Sequence, residues 1–209
     1  MIGVLNYGAG NLGSVMNALD RLARPARFVR GPEELNHTTF SALIVPGDGH
    51  FATAMEALET QGYAEAIKDW IQRDLPFLGI CIGLQLLFES SEEAPPVQGQ
   101  EICGLSVIPG RVRRFQGRKV PQIGWNQTRS RPTSRLFQGT LQNTFFYYIH
   151  SYYVQPEDDG WVAAEADYYG TYCSAVERGA LTAVQFHPEK SGSSGLALLD
   201  RWAEVYHAG

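Results

Sequence analysis

The stretch Gly79-Ile80-Cys81-Ile82-Gly83-Leu84-Gln85 carries the sharpest chemical signal in the chain. The apolar run PFLGI at 76–80 leads into it, and the helix-like GLQLLFES follows. The pattern is Gly-x-Nuc-x-Gly with cysteine as nucleophile, the spacing of a strand-to-helix elbow. So sharp a turn strains the backbone of its central residue, and glycines two positions away avoid collisions with neighbouring strands and the helix. It would lift the Cys81 sulfur above the sheet, at a helix N-terminus whose N–H groups favour a thiolate. The alternative is a buried core thiol, the commonest fate of a free cysteine. Cys103 and Cys173 lack such a setting and read as plain thiols.

A thiolate nucleophile needs a proton shuttle and a group to orient that shuttle. Of the histidines at 37, 50, 150, 187 and 207, His187 is set apart by its context, AVQFHPEKSG. His187 and Glu189 are two residues apart, so in extended chain their side chains share a side. Pro188 between them cannot continue a helix. Glu189 can then accept a hydrogen bond from one ring nitrogen while the other faces the sulfur. On its own the pair reads equally as an exposed His-Pro turn; together with the elbow it reads as a Cys81–His187–Glu189 set. A third element is LIVPGDGHF at 43–51, a strand ending in a glycine-rich loop. Such a loop can turn backbone N–H groups toward an anion. With the N–H of Ile82, an N–H of Asp48 or Gly49 would complete an oxyanion hole; alone the loop is only a turn.

GAGNLG at 8–13 has the glycine spacing of a dinucleotide fingerprint, a weak signal by itself. The acidic residue expected some twenty positions on is unconvincing. The second strand ends at Arg30-Gly31, and Glu33 and Glu34 follow a proline. Arg30 would suit an NADP phosphate, which keeps that alternative open.

The elements that must position these groups follow from periodicity. IGVLN at 2–6, ARFVR at 26–30, ALIVP at 42–46 and PFLGI at 76–80 read as strands. Leu12, Val15, Met16, Leu19 and Leu22 mark one helix face, and Tyr63, Ile67, Trp70 and Ile71 another. Strand–helix alternation predicts an α/β fold, a mostly parallel central sheet flanked by helices. From about 95 to 187 aromatics and β-branched residues dominate, which predicts an added antiparallel section. A closing helix should bury Leu198, Leu199, Trp202, Val205 and Tyr206. With 209 residues, no repeat and no long linker, one domain over 1–209 is expected.

Net charge is −5, which argues against a mainly electrostatic nucleic-acid binder. The basic run RVRRFQGRK at 111–119, with Arg129, Arg131 and Arg135, reads as a solvated edge; a small phosphorylated ligand or an acidic partner surface is the alternative. The first residues lack the features of a signal peptide, and LPFLGICIGLQLLFE is short for a bilayer span. Three cysteines form no disulfide framework and no metal spacing. A reduced cytoplasmic protein, without membrane, metal or cofactor, is expected.

The order PGxG, GxCxGxQ and FHPE resembles the class I (triad) glutamine amidotransferases. Within them the chain is similar to the glutaminase subunits of imidazole glycerol phosphate synthase. The residues that carry this are NYGAGNLGSV, PGDGHFATAM, PFLGICIGLQLLFESSEE, GLSVIPGRVRRF, KVPQIGWN, YYIHSYYV and VQFHPEKSG, nearly end to end. The resemblance implies a flavodoxin-like glutaminase fold, no cofactor, and no nicotinamide at 8–13. It implies that Cys81 attacks the glutamine side-chain amide to form a thioester, that His187 protonates leaving ammonia and then activates water, and that Glu189 orients the imidazole. Gly47, Gln85, Glu93, Ser151 and Tyr152 would surround glutamine. The partner would be a separate (β/α)₈-barrel cyclase, contacted through Asn11, Trp125 and Lys190, which uses the ammonia in histidine biosynthesis. Trp125 reads otherwise as a core aromatic and Lys190 as a solvated charge.

One position departs from the family, whose oxyanion loop commonly has valine where this chain has Asp48. A carboxylate aimed into the site would oppose the developing negative charge. The expectation is that it points away, and that the loop must flip before it presents its donor. The rival readings are a different triad amidotransferase, a stand-alone cysteine hydrolase, and an NADP-binding module.

Overall fold

The computed structural model describes residues 1–8, 10–96 and 102–206. Ala9 in the glycine loop and residues 97–101 in the expected antiparallel section lie outside the described residues. Strands β1 (Ile2–Leu5), β2 (Ala26–Val29), β3 (Ala42–Val45), β4 (Phe77–Ile80) and β12 (Leu181–Val184) run parallel in the order β2-β1-β3-β4-β12. Counting β12 as the fifth parallel strand, this is the 2-1-3-4-5 order of flavodoxin-like sheets.

Apart from the edge strand β2, which carries Arg27 and an exposed Phe28, the strands are short, apolar and buried on both faces, as the interior of a parallel sheet requires. Ile2, Val4, Ile44, Leu78, Ile80 and Val184 meet α1 (Leu12–Arg21) and α5 (Gly192–Tyr206) through Val15, Leu19, Leu198, Leu199 and Trp202. Leu5, Leu43, Val45, Phe77 and Leu181 face the other way, toward α2 (Phe51–Thr60) and α3 (Tyr63–Gln72). The periodicity reading does not include α2, although Phe51, Ala54, Met55 and Leu58 form its buried stripe. In α5, Val205 is only half-buried and Ala203 belongs to the stripe.

Beyond β12 the sheet turns antiparallel through β11 (Thr171–Arg178), β10 (Val162–Asp167), β7 (Gln122–Ser130) and β8 (Thr144–His150). β9 (Tyr152–Pro156) links β11 to β6 (Ile108–Arg114), which pairs in parallel with β5 (Phe88–Ser91). The expected antiparallel section is therefore present, continuous with the parallel half. Part of the basic run is neutralised locally: Arg113 pairs with Glu92, Arg131 with Asp159 and Arg135 with Glu177. Among the described residues no helix is long and apolar enough to cross a membrane.

The helix expected from Gly83 to Ser90 is a correction. After Cys81 only one turn forms, α4 (Ile82–Gln85), and the chain then becomes β5. The carbonyls of Leu86 and Leu87, needed to continue the helix, accept instead from the N–H groups of Leu105, Val107 and Ile108 at 2.7–2.9 Å. A long-range pairing thus overrides local helix propensity. Any help to a thiolate comes from the N–H groups of this single turn, not from a long helix dipole.

Candidate active site

The loops that follow β1, β3, β4 and β12 all leave the carboxyl ends of parallel strands, where ligands bind in open α/β sheets. Three of these strand ends deliver the residues singled out above. Cys81 sits directly after β4 with φ 56° and ψ −107°, a conformation a non-glycine residue adopts only under constraint. The constraint is visible on both sides. A Cβ on Gly79 would lie 2.6 Å from the Gly83 carbonyl oxygen, and one on Gly83 only 2.0 Å from that of Val45. The Cys81 N–H donates to the Val184 carbonyl at 2.8 Å, pinning the elbow to β12.

His187 lies three residues beyond β12. Its main chain is held by a closed set of hydrogen bonds: its N–H donates to the Tyr147 carbonyl (2.9 Å), its carbonyl accepts from Ser191 Oγ (2.6 Å), and Ser191 Oγ accepts from the Tyr147 N–H (2.9 Å). His187 Nδ1 is 2.8 Å from Glu189 Oε1, with side-chain exposures of 3% and 2%. The other ring nitrogen, Nε2, is buried without a hydrogen-bond partner, and His187 lines the same cleft as Cys81. Burial works against the imidazolium, yet the Cys81 sulfur and then Glu189 outweigh it and hold the His187 pKa up at about 10.

A cleft of about 300 Å³ joins these groups. Its lining includes Asp48, Gly49, Cys81, Ile82, Gln85 and Glu93 from the first half of the chain and His150, Ser151, Tyr152, His187 and Lys190 from the second. The candidate nucleophile, the candidate base and most residues that the resemblance implies for glutamine contact are thus brought together. Glu93 Oε2 accepts from the Phe51 N–H at 2.8 Å, which anchors it at the start of α2. Gln85 Nε2 donates to the Tyr152 carbonyl at 3.3 Å. Gly47 packs against the elbow so closely that a Cβ there would stand 1.9 Å from Ile82 Cγ2.

Asp48 Oδ1 accepts from the Gly10 N–H at 2.9 Å, tying the loop after β3 to the loop after β1. The same contact argues against a dinucleotide at 8–13, because a carboxylate occupies an N–H that a pyrophosphate would need. Asn11 caps α1, accepting from the Ser14 N–H at 3.3 Å, and is exposed. Trp125 is 57% exposed, so it is no core aromatic. Among the described residues, other surface hollows lie beside Asp20 and Arg24, beside Ser134 and Glu177, and beside Ser91 and Arg111; none contains a cysteine or a histidine, and the Ser134 hydroxyl is already held by Glu177 at 2.6 Å.

Two residues, His150 in the cleft and Gln185 buried behind Cys81, were missed by sequence reasoning. His150 is buried with Nδ1 2.7 Å from the Tyr152 carbonyl and Nε2 3.1 Å from Gln122 Oε1. Burial pushes its pKa down to about 4. Gln185 is fully buried with Nε2 3.7 Å from Cys81 Sγ. Its signal was available in its two-residue spacing from His187. Glu189 does not continue that alternation: the chain expected to be extended turns into a 3₁₀ segment at Pro188–Lys190, with Pro188 opening it, and the carboxylate meets the imidazole across this turn.

Comparison with known proteins shows the family and the fold. The family model for glutamine amidotransferase class-I matches residues 4–203. The chain is 44% identical to the imidazole glycerol phosphate synthase subunit HisH of Synechococcus sp., over 97% of this chain and 93% of that protein. It is also 44% identical to the subunit of the same name from Moorella thermoacetica, over 100% and 97%. A crystal structure of a glutamine amidotransferase shares the fold at a TM-score of 0.74 and 24% identity, over 99% of this chain and 98% of that one. The chain belongs to the class-I glutamine amidotransferase family.

Proposed function

We propose that this protein is the glutaminase subunit of an imidazole glycerol phosphate synthase. The observation that carries the reading is the conjunction of Cys81, strained at the elbow, with a buried His187–Glu189 pair in the same cleft. The identity to HisH subunits over the whole chain supports the choice of synthase.

The Cys81 sulfur attacks the side-chain amide carbon of glutamine. The oxyanion that forms is held by the N–H of Ile82 and by a backbone N–H of Asp48 or Gly49. His187 transfers a proton to the departing nitrogen, and ammonia leaves behind a thioester. The neutral imidazole then takes a proton from water, whose hydroxide cleaves the thioester to glutamate and restores the thiol. Glu189 keeps Nδ1 protonated and the ring in place. Gly47, Gln85, Glu93, Ser151 and Tyr152 bind the glutamine.

Ammonia is mostly protonated near neutral pH and is then no nucleophile, so the product is passed directly to a partner. That partner is a (β/α)₈-barrel cyclase, which forms imidazole glycerol phosphate and an aminoimidazole carboxamide ribotide. Its docking surface includes Asn11, Trp125 and Lys190. Ile123, Trp125, Phe145 and Ile149 extend this surface, since all four are exposed on the outward side of β7 and β8. In this reading the protein works in the cytoplasm, as a biosynthetic subunit would, and residues 1–209 act as one domain. The deciding experiment is glutamate release with and without the barrel and its ligand, for the natural protein and Cys81→Ser. Partner-dependent release that Cys81→Ser abolishes is the expected result; release by Cys81→Ser at the natural rate would overturn the assignment.

A further inference from the structure

We propose that Gln185 is a positioning residue for the Cys81 sulfur, the last member of a directed chain of amides that begins at the glutamine-binding segment. The proposal rests on the reading of Cys81 as nucleophile. Gln185 follows β12, two residues before His187, and its side chain has no solvent exposure. Its Nε2 stands 3.7 Å from Cys81 Sγ. Its Oε1 accepts from Gln85 Nε2 at 3.1 Å, and the same Gln85 nitrogen donates to the Tyr152 carbonyl at 3.3 Å.

The direction of this chain follows from what each atom can do. A main-chain carbonyl only accepts, so the Gln85 amide must turn its nitrogen toward Tyr152. The second hydrogen on that nitrogen then requires an acceptor at Gln185, which sets Oε1 toward Gln85. The Gln185 nitrogen is left facing the sulfur, and no amide flip preserves all three contacts. Cys81 therefore lies between an amide donor from Gln185 and the imidazole of His187. The donor fixes the sulfur on the cleft side and stabilises its negative charge, as a hydrogen bond to an ion does. It also joins the sulfur to Tyr152, so movement of the substrate-binding strand is transmitted to the nucleophile.

The test is Gln185→Met, of similar volume and without a donor, made with Cys103→Ser so that the exposed thiol consumes no reagent. Two quantities are read on the full-length protein. One is partner-stimulated glutamate release. The other is the rate at which iodoacetamide alkylates Cys81 at pH 7, followed by peptide mass analysis. Loss of the donor should lower kcat about tenfold with KM changed less than about twofold, and slow alkylation about tenfold. A purely structural role predicts the opposite sign for alkylation, because a loosened cleft admits reagent faster. Unchanged or faster alkylation overturns the proposal. If Gln185→Met does not fold, Gln85→Met removes the amide that orients Gln185. It should slow alkylation about threefold and raise KM, and an unchanged alkylation rate in that folded protein likewise overturns the proposal. Alkylation needs no glutamine chemistry, so absence of glutaminase activity in the natural protein would sink the functional reading while leaving this test intact.

Discussion

His187 Nδ1 and Glu189 Oε1 stand 2.8 Å apart across the first turn of a 3₁₀ segment, Pro188–Lys190, with both side chains sealed from solvent. Replacing Glu189 by Gln keeps the shape but removes the charge that supports the imidazolium. The expected outcome is a fall in kcat of about tenfold to a hundredfold with little change in KM. Steady-state glutamate release in the presence of the partner measures it. A kcat within twofold of the natural value would remove Glu189 from the proton relay.

The imidazole's protonation depends on the sulfur as well. After burial, which lowers the His187 pKa, Cys81 is the largest influence and raises it. Cys81→Ala deletes that influence and leaves burial opposed by Glu189 alone. The His187 ring should then lose its proton at a clearly lower pH than the value of about 10 found with the sulfur present. Ring-proton NMR across pH 5–11 on the two proteins reads the difference. Coincident titrations would mean that sulfur and imidazole are not coupled.

The bond between the Asp48 carboxylate and the Gly10 N–H holds the oxyanion loop against the glycine loop. If the loop must turn to present its donor, this bond opposes the turn. Asp48→Ala should raise partner-free glutaminase activity about fivefold and shrink the stimulation by the barrel in proportion. Assays with and without the partner give the ratio, and an unaltered ratio would show that the bond plays no part in the control.

His150 offers a pH test independent of activity. Burial lowers its pKa from 6.5 to about 4, so below pH 6.5 the unfolded chain binds a proton that the folded chain refuses. The stabilisation is present above pH 6.5 and is lost as pH falls toward 4. Between pH 7 and pH 5 it amounts to about 2 kcal/mol. Urea unfolding of the natural protein and of His150→Gln at both pH values should show a drop smaller by about that amount in the variant. Parallel drops would mean that His150 charges freely in the fold.

Much of this site was legible because it depends on local spacing. The elbow at 79–83 and the closeness of His187 and Glu189 need no tertiary information, although the pair meets across a 3₁₀ turn and not by strand alternation, and β1, α1, β2, β3 and β4 follow from periodicity. The stripe of Phe51, Ala54, Met55 and Leu58 was equally readable but was passed over behind the glycine loop. The helix after Cys81 fell short for a reason the local sequence does not contain: residues 105–108 claim its carbonyls. His150 was hidden in the same way, since its setting depends on the β7–β8 register that pairs it with Gln122. Gln185 differs from both, because its parity with His187 was in plain view.

Tyr147 stands at a crossing point. Its carbonyl holds the His187 N–H, its own N–H holds Ser191, and its ring packs edge-on to exposed Trp125 at 6.2 Å. A protein that grips Trp125 thus has a handle on the backbone carrying the imidazole, one residue away. Assembly can be felt at the reacting atoms through this short lever, without any relay across the core.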